Sequence, residues 1–101
     1  MAQVQVKLVN AELMSNFYFT PDPVVLARKL LAGGLYEDKA TLSTYLAGED
    51  AAEELFDLTN NPSRQEERER DYGRGRSISV GDIVCVDGVN FLCASVGWTV
   101  V

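Results

Sequence analysis

The sequence contains no histidine, only two cysteines and few lysines among its 101 residues. Histidine is the commonest general base, the commonest metal ligand and the usual pH switch near neutrality. Its absence excludes the ordinary Ser–His and Cys–His catalytic pairs, and two cysteines are too few for a disulfide scaffold or a zinc site. We therefore expect a protein that is not an enzyme and that holds neither a cofactor nor a metal.

Long hydrophobic runs and a recognisable leader are also missing. No apolar run approaches the roughly 20 residues of a membrane span, and the start, MAQVQVKLVN, lacks the basic end and apolar centre of a secretory signal. We expect a cytoplasmic protein without membrane contact. With 47% hydrophobic and 24% charged residues, the chain suits one small domain over residues 1–101 with a modest core.

The two cysteines, Cys85 and Cys93, are not expected to form a bridge. If Asp87 and Gly88 make a two-residue hairpin turn, Cys85 lies opposite Asn90. Cys93 then points to the other face of the sheet, because side chains alternate along a strand. We expect both cysteines to be reduced, buried thiols, since a free cysteine behaves as a small apolar residue.

Helix signals mark two segments. The first is capped by Thr20 or Asp22, carries Pro23 in its first turn and stops at Gly33-Gly34. Its expected buried face consists of Val24, Ala27, Leu30 and Leu31. The second begins at Gly48 to Asp50 and ends at the Asn-Asn-Pro run over 60–62. Its expected buried stripe consists of Ala52, Leu55, Phe56 and Thr59.

Strand signals occupy most of the remainder. Alternation predicts strands over 3–8 and 39–46, and the firmest local prediction is a hairpin of Ile83–Val86 with Val89–Ala94. A short edge strand is expected over 98–101, and the aromatic segment 11–20 either extends the sheet or folds over it. The sum is an α+β fold of order β-α-β-α-β-β, an antiparallel sheet of about four strands with two helices on one face.

Negative charge is concentrated in one part of the chain. Residues 37–57 hold seven acids and one lysine, which matches the whole net charge of −6. One interpretation is a solvated helix face, since acids in a first turn also favour the positive helix end. The other is an acidic patch for a basic partner, such as a protein whose natural ligand is nucleic acid. The candidate contacts are Glu49, Asp50, Glu53, Glu54 and Asp57.

A charged loop is expected at about 62–77, with five arginines and four acids between Ser63 and Ser77. Its first half compensates itself, and Glu66 with Arg70 at i,i+4 allows a short charged helix. In its second half, YGRGRS, Arg74 and Arg76 lie without nearby acids, and Tyr72 can stack on a base or on a partner's arginine. Solvated connector, protein-docking loop and nucleic-acid contact all remain open, although a dedicated nucleic-acid arm normally has a larger basic excess.

The last 40 or so residues contain a distinctive pattern between Ser77 and Trp98, S-x-S-V-G-D-x-V-x-V-D-G followed by C-A-S-x-G-W. This tail resembles that of small accessory proteins encoded by bacteriophages, plasmids and other mobile elements. Small acidic proteins of that origin include inhibitors of host defence, anti-CRISPR proteins among them. The same residues also have a structural interpretation, in which the glycines and aspartates make turns and the tryptophan covers the core.

The sequence is therefore compatible with three functions. The resemblance implies a non-enzymatic inhibitor in the host bacterial cell. It would bind the basic surface of a Cas effector or nuclease and block DNA recognition or cleavage. The acidic set named above would contact that surface, with Tyr72, Arg74 and Arg76 as a second contact. The alternatives are a small regulatory protein that binds nucleic acid through the Arg/Gly loop and a self-associating module, which leaves a homodimer open.

Overall fold

The computed structural model describes residues 1–101. Its strands are β1 (Ala2–Val9), β2 (Tyr36–Thr44), β3 (Ile83–Val86), β4 (Val89–Cys93) and β5 (Trp98–Val100). Its helices are α1 (Asn16–Phe19), α2 (Pro23–Ala32), α3 (Gly48–Asn60) and α4 (Gln65–Asp71), with single 3-10 turns at Ala11–Leu13 and Pro62–Arg64. The five strands form one antiparallel sheet in the order β2-β1-β3-β4-β5. The α+β class is confirmed. The sheet has five strands where about four were expected, and α1 and α4 are short helices in addition to the two longer ones.

Strand β1 lies inside the sheet because it pairs with β2 on one side and with β3 on the other. Val4 and Val6 are fully buried, whereas the intervening Gln3 and Gln5 are exposed. This is the period-2 alternation that predicts a half-buried strand. The alternation therefore places the main core on one face of the sheet.

The two longer helices cover opposite faces of the sheet, so the prediction of both helices on one face is wrong. Val84 of β3 packs in a cluster with Leu55 of α3. The next residue back, Ile83, packs in a second cluster with Leu30 of α2. Neighbouring residues of a strand point to opposite faces, and both faces of β3 are apolar, so each face needs its own cover.

The second strand starts three residues earlier than predicted. Ala40 pairs with Val6, but the next pair along is Asp38 with Lys7, so Lys39 is an extra residue in β2. Such a bulge lets a strand continue through residues that do not fit the alternation. Lys7 Nζ of β1 lies 3.2 Å from Asp38 Oδ1 of β2. The acids at the start of β2 are atypical of a strand, and one of them is therefore paired across the sheet.

The hairpin between β3 and β4 is confirmed. Asp87 and Gly88 have φ angles of 48° and 84°, the positive values that a type I′ turn needs at both central residues. Cys85 lies opposite Asn90 as expected. Both cysteines are free thiols, but only Cys93 is buried, while Cys85 is half-buried.

The aromatic segment after β1 folds over the end of the sheet and does not extend it. It forms the 3-10 turn and α1, which bury Phe17 and leave Phe19 84% exposed. Gly81 lies directly against the Phe17 ring, and a Cβ at that position would approach the ring to 2.6 Å. With a φ of +97° as well, position 81 strongly favours glycine.

The helix boundaries follow the sequence signals closely. Asp22 caps α2 by accepting a hydrogen bond from the Val25 N–H at 3.1 Å, which decides between the two candidate caps. In α3, Ala51 and Leu58 join the expected buried stripe, and Phe56 is only half-buried. No helix of the chain combines the length and the apolar character that crossing a membrane requires.

Candidate functional site

Asp82 is the centre of a buried polar network at the start of β3. Its side chain is 0% exposed and accepts backbone hydrogen bonds from Val9 at 2.9 Å and from Ser79 at 2.7 Å. Arg76 binds the same carboxylate with two nitrogens, Nη1 at 2.6 Å and Nη2 at 2.9 Å. Four donors therefore satisfy one buried carboxylate, and two of them belong to the bidentate arginine geometry that is strongest in proteins.

Arg76 also attaches residues 72–77, which we call the Arg/Gly segment, to β1. Its Nη2 donates to the Val9 carbonyl at 2.9 Å, and its own carbonyl accepts from the Tyr72 hydroxyl at 2.6 Å. The hydrogen bond with Asp82 raises the pKa of Arg76 above its ordinary value. Burial, followed by the nearby charge of Asp82, raises the pKa of Tyr72 to about 12. Both groups therefore keep their protons at neutral pH inside this network.

Tyr72 cannot make the stacking contact that the sequence suggested. Its side chain is buried, at 4% exposure, and its ring already faces two cations of its own chain. Lys39 Nζ lies 5.0 Å from the ring centroid and the Arg68 guanidinium carbon lies 5.2 Å from it. Because such cation–π contacts are internal here, Tyr72 has no free face for a base or for a partner's arginine.

The backbone carbonyls of the remaining Arg/Gly residues accept hydrogen bonds from the side chains of Arg68 and Lys39. Arg68 donates to the Gly73 carbonyl at 3.1 Å and to the Gly75 carbonyl at 2.6 Å. Lys39 donates to the Arg74 carbonyl at 2.5 Å. Among the three expected second contacts, the side chains of Tyr72 and Arg76 are therefore used internally, and only that of Arg74 is exposed without an ion-pair partner.

The expected acidic set forms one face of α3, with Glu49, Asp50, Glu53, Glu54 and Asp57 opposite the buried stripe. Spacings of three and four residues place these carboxylates on the same side of a helix. We call this surface the acidic face. Glu49 and Asp50 are exposed and take part in none of the ion pairs of the chain. Glu53 is exposed and accepts a hydrogen bond from Trp98 Nε1 at 2.7 Å.

Arg64 binds the other two acids of that face. Its Nη1 lies 2.7 Å from a Glu54 oxygen and 2.9 Å from an Asp57 oxygen, and its Nη2 lies 2.9 Å from Glu67 of α4. These hydrogen bonds raise the pKa of Arg64, and the bond to Arg64 lowers the pKa of Glu67. Arg64 thus joins α3 to α4, which the sequence did not reveal because its partners lie up to ten residues away.

The first half of the charged stretch forms helix α4, so the short charged helix is confirmed and the loop expected at 62–77 is helical in part. Its charges are partly paired along the chain, as in the 3.0 Å contact of Arg70 with Asp71. Beside the second half runs a groove of about 600 Å³ whose lining includes Lys39, Arg74 and Glu37. None of the residues that line this groove belongs to α3, which carries the acidic face.

The next feature is the distribution of possible metal ligands and of buried polar groups. The chain brings together no group of three or more His, Cys, Asp or Glu side chains that could hold a metal ion. Every buried side-chain nitrogen and oxygen has a hydrogen-bond partner. Comparison of the chain with protein-family models, curated proteins and solved structures gives no match. The function must therefore be argued from the geometry of this chain.

Replacing Arg76 by methionine tests the buried network. Arg76→Met leaves the Asp82 carboxylate buried without its cation, so we expect the free energy of unfolding to fall by roughly 3–5 kcal/mol. Arg74→Met removes the same charge from an exposed side chain, and its effect should stay within about 0.5 kcal/mol. Urea unfolding followed by Trp98 fluorescence measures both. Equal stability of the two variants would contradict the structural role of Arg76.

The raised pKa of Tyr72 predicts a loss of stability at high pH. Unfolded tyrosine ionises near its ordinary value of 10.0, whereas folded Tyr72 keeps its proton up to about 12. Its contribution is therefore fully present below pH 10 and is lost as the pH rises towards 12. Tyr72→Phe should be less stable by about 1 kcal/mol at pH 8 through the lost hydrogen bond. The difference from the native chain should shrink between pH 10 and 12 in urea unfolding; a constant difference would argue against the shift.

Proposed function

We propose that this chain is a non-enzymatic inhibitor of a bacterial defence complex, acting as anti-CRISPR proteins do. In this proposal the acidic face of α3 binds a basic, nucleic-acid-binding surface of a Cas effector or nuclease and so blocks DNA recognition or cleavage. The observation that carries the proposal is the exposure of Glu49 and Asp50, which have no internal partner. The likeness of the tail to mobile-element proteins supplies the class of host and target.

The geometry of α3 supports this role. Glu49, Glu53 and Asp57 follow one another at intervals of four residues, which is ~6 Å along a helix axis. A row of negative charges on a rigid rod resembles a phosphate backbone in the field it presents to a cationic groove. The buried Leu55 and Leu58 hold the helix against the sheet, so the row is preorganised before any partner arrives.

Arg64 adds to that preorganisation. It holds Glu54 and Asp57 in place through direct ion pairs, but it is one cation among the acids that it contacts. The acidic face therefore keeps a negative excess while two of its side chains are already ordered. Electrostatic complementarity of this kind mainly accelerates association and fixes the orientation of the complex, so binding should weaken as salt rises.

A catalytic role receives no support from the nucleophiles of the chain. The sequence has no histidine to act as a base. Burial raises the pKa of the Cys93 thiol to about 12, so it remains protonated and unreactive at neutral pH. The Ser77 hydroxyl is committed to the Thr59 carbonyl at 2.7 Å. These observations favour a binding protein.

Nucleic-acid binding by the Arg/Gly segment is the weaker alternative. Two of its three proposed contacts, Tyr72 and Arg76, are held inside the molecule by Asp82 and its neighbours. Arg74 alone adds little of the phosphate neutralisation on which such binding depends. We therefore retain Arg74 only as a second contact with the protein partner.

Charge reversal at the start of α3 tests the proposal. In cells whose CRISPR effector destroys an incoming plasmid, expression of the native chain should restore transformation. The Glu49→Lys/Asp50→Lys variant should lose that protection by at least about tenfold, as expected when ~1.4 kcal/mol of binding is removed. The matched control, Glu66→Lys/Glu69→Lys, makes the same charge change on exposed residues of α4 and should protect like the native chain.

The result can fail in two informative ways. If the native chain protects and both double variants protect equally, the acidic face does not bind the target. If the native chain protects against none of a panel of Cas effectors and binds none of them in solution, the proposed class of function is wrong. In either case urea unfolding must first show that the variants are folded.

A further inference from the structure

Strand β2 forms an open edge of the sheet. It spans nine residues, about 30 Å, and pairs only with β1, so the backbone groups on its outer side have no partner strand. The opposite edge, β5, has only three residues. A long open edge offers a row of N–H and C=O groups to which another extended chain can pair.

The protection of this edge covers only its first part. Proteins usually guard an edge with charges, prolines or bulges. In β2, Glu37, Asp38 and the bulge at Lys39 stand together at the start of the strand. From Ala40 to Gly48 there is no charged residue and no proline. Tyr45, just past the strand, is 90% exposed. The second part of the edge therefore lacks the usual barriers to pairing.

The charges at both ends of this uncharged stretch decide what can pair with it. Glu37 and Asp38 precede it, and Glu49 and Asp50 follow it directly. In a parallel pairing of two copies, each acidic end would meet the same end of the other copy. In an antiparallel pairing, the acids at the start of one copy's strand would come close to those at the start of the other's helix. Like charges that face each other across strands are destabilising.

We propose that the outer edge of β2 binds an extended strand of the partner protein, one with lysine or arginine on both sides of an apolar or β-branched centre. The incoming backbone pairs with Ala40 to Thr44, and its basic ends meet the acids at either end of the stretch. This inference rests on the proposed function, because it assumes the same basic partner. It places strand pairing beside the acidic face, so that one partner contacts both.

The test uses two synthetic peptides with the intact native chain. Both have the core Val-Thr-Val-Ser-Val; one carries two lysines at each end and the other two glutamates. Amide hydrogen exchange, measured by NMR, reports each backbone N–H separately. With excess lysine peptide, exchange should slow about tenfold or more at alternate residues between Ala40 and Tyr45, because only every second N–H points outward. The glutamate peptide should leave these rates unchanged.

Variants test the role of the flanking acids. Glu49→Lys/Asp50→Lys should weaken the lysine peptide about tenfold and improve binding of the glutamate peptide. Glu66→Lys/Glu69→Lys changes the net charge equally on α4 and should keep the native preference. A preference that follows net charge in both variants alike would overturn the assignment of these acids to the strand site.

Other outcomes would also overturn the inference. If both peptides slow amide exchange in β2 to the same extent, the partner strand is not selected by its charge. If exchange in β2 slows without peptide as the protein concentration rises, the edge pairs with a second copy of the chain. Binding of the lysine peptide without slowing in β2 rejects strand pairing but leaves the acidic face as a binding surface. The transformation assay, which needs no strand pairing, tells the last case from a failure of the proposed function.

Discussion

Arg76 and Asp82 form a bidentate ion pair whose carboxylate is fully buried, and three segments of the chain meet at it. Asp82 directly precedes the β3–β4 hairpin, and Val9 is the last residue of β1. Tyr72 directly follows α4 and binds the Arg76 carbonyl. Removing a charge from water is costly, and the cost is recovered only where hydrogen bonds satisfy every lone pair and proton nearby. Here the carboxylate accepts four hydrogen bonds, so the pair both tolerates burial and determines the path of the Arg/Gly segment.

The charged residues of the chain are of two kinds, those bound within the fold and those without an internal partner. Arginines that look free in the sequence are structural: Arg76 binds Asp82, Arg68 holds the glycine carbonyls, and Arg64 joins two helices. In contrast, Glu49 and Asp50, whose position in a first helix turn is common for acids, have no ion-pair partner. The Ser77–Trp98 pattern is structural at several positions here, since Gly81 fits against Phe17 and the Asp87–Gly88 pair makes the turn. Function is therefore better sought on α3 and β2 than in residues 77–98.

Local patterns predicted most of the elements, because alternation, caps and turn residues act over a few positions. The span of α3 and the β3–β4 hairpin followed from such signals, and the cap of α2 was narrowed to Thr20 or Asp22. Predictions that depended on distant partners were less successful. Nothing near Tyr72 in the sequence indicates that it is buried against Lys39, and nothing near Arg64 indicates that Glu54 binds it. The face on which α2 packs was also missed, since it depends on how apolar both sides of β3 are.

The Arg/Gly segment is a fixed part of the fold and not a mobile binding arm. Backbone ¹⁵N relaxation of the free native chain tests this most directly, because it reports motion of Gly73 to Ser77 residue by residue. If the segment is fixed, its order parameters should be about 0.85, the value typical of rigid backbone. Values below about 0.6 at these residues, with rigid values in the strands, would show that the segment is mobile.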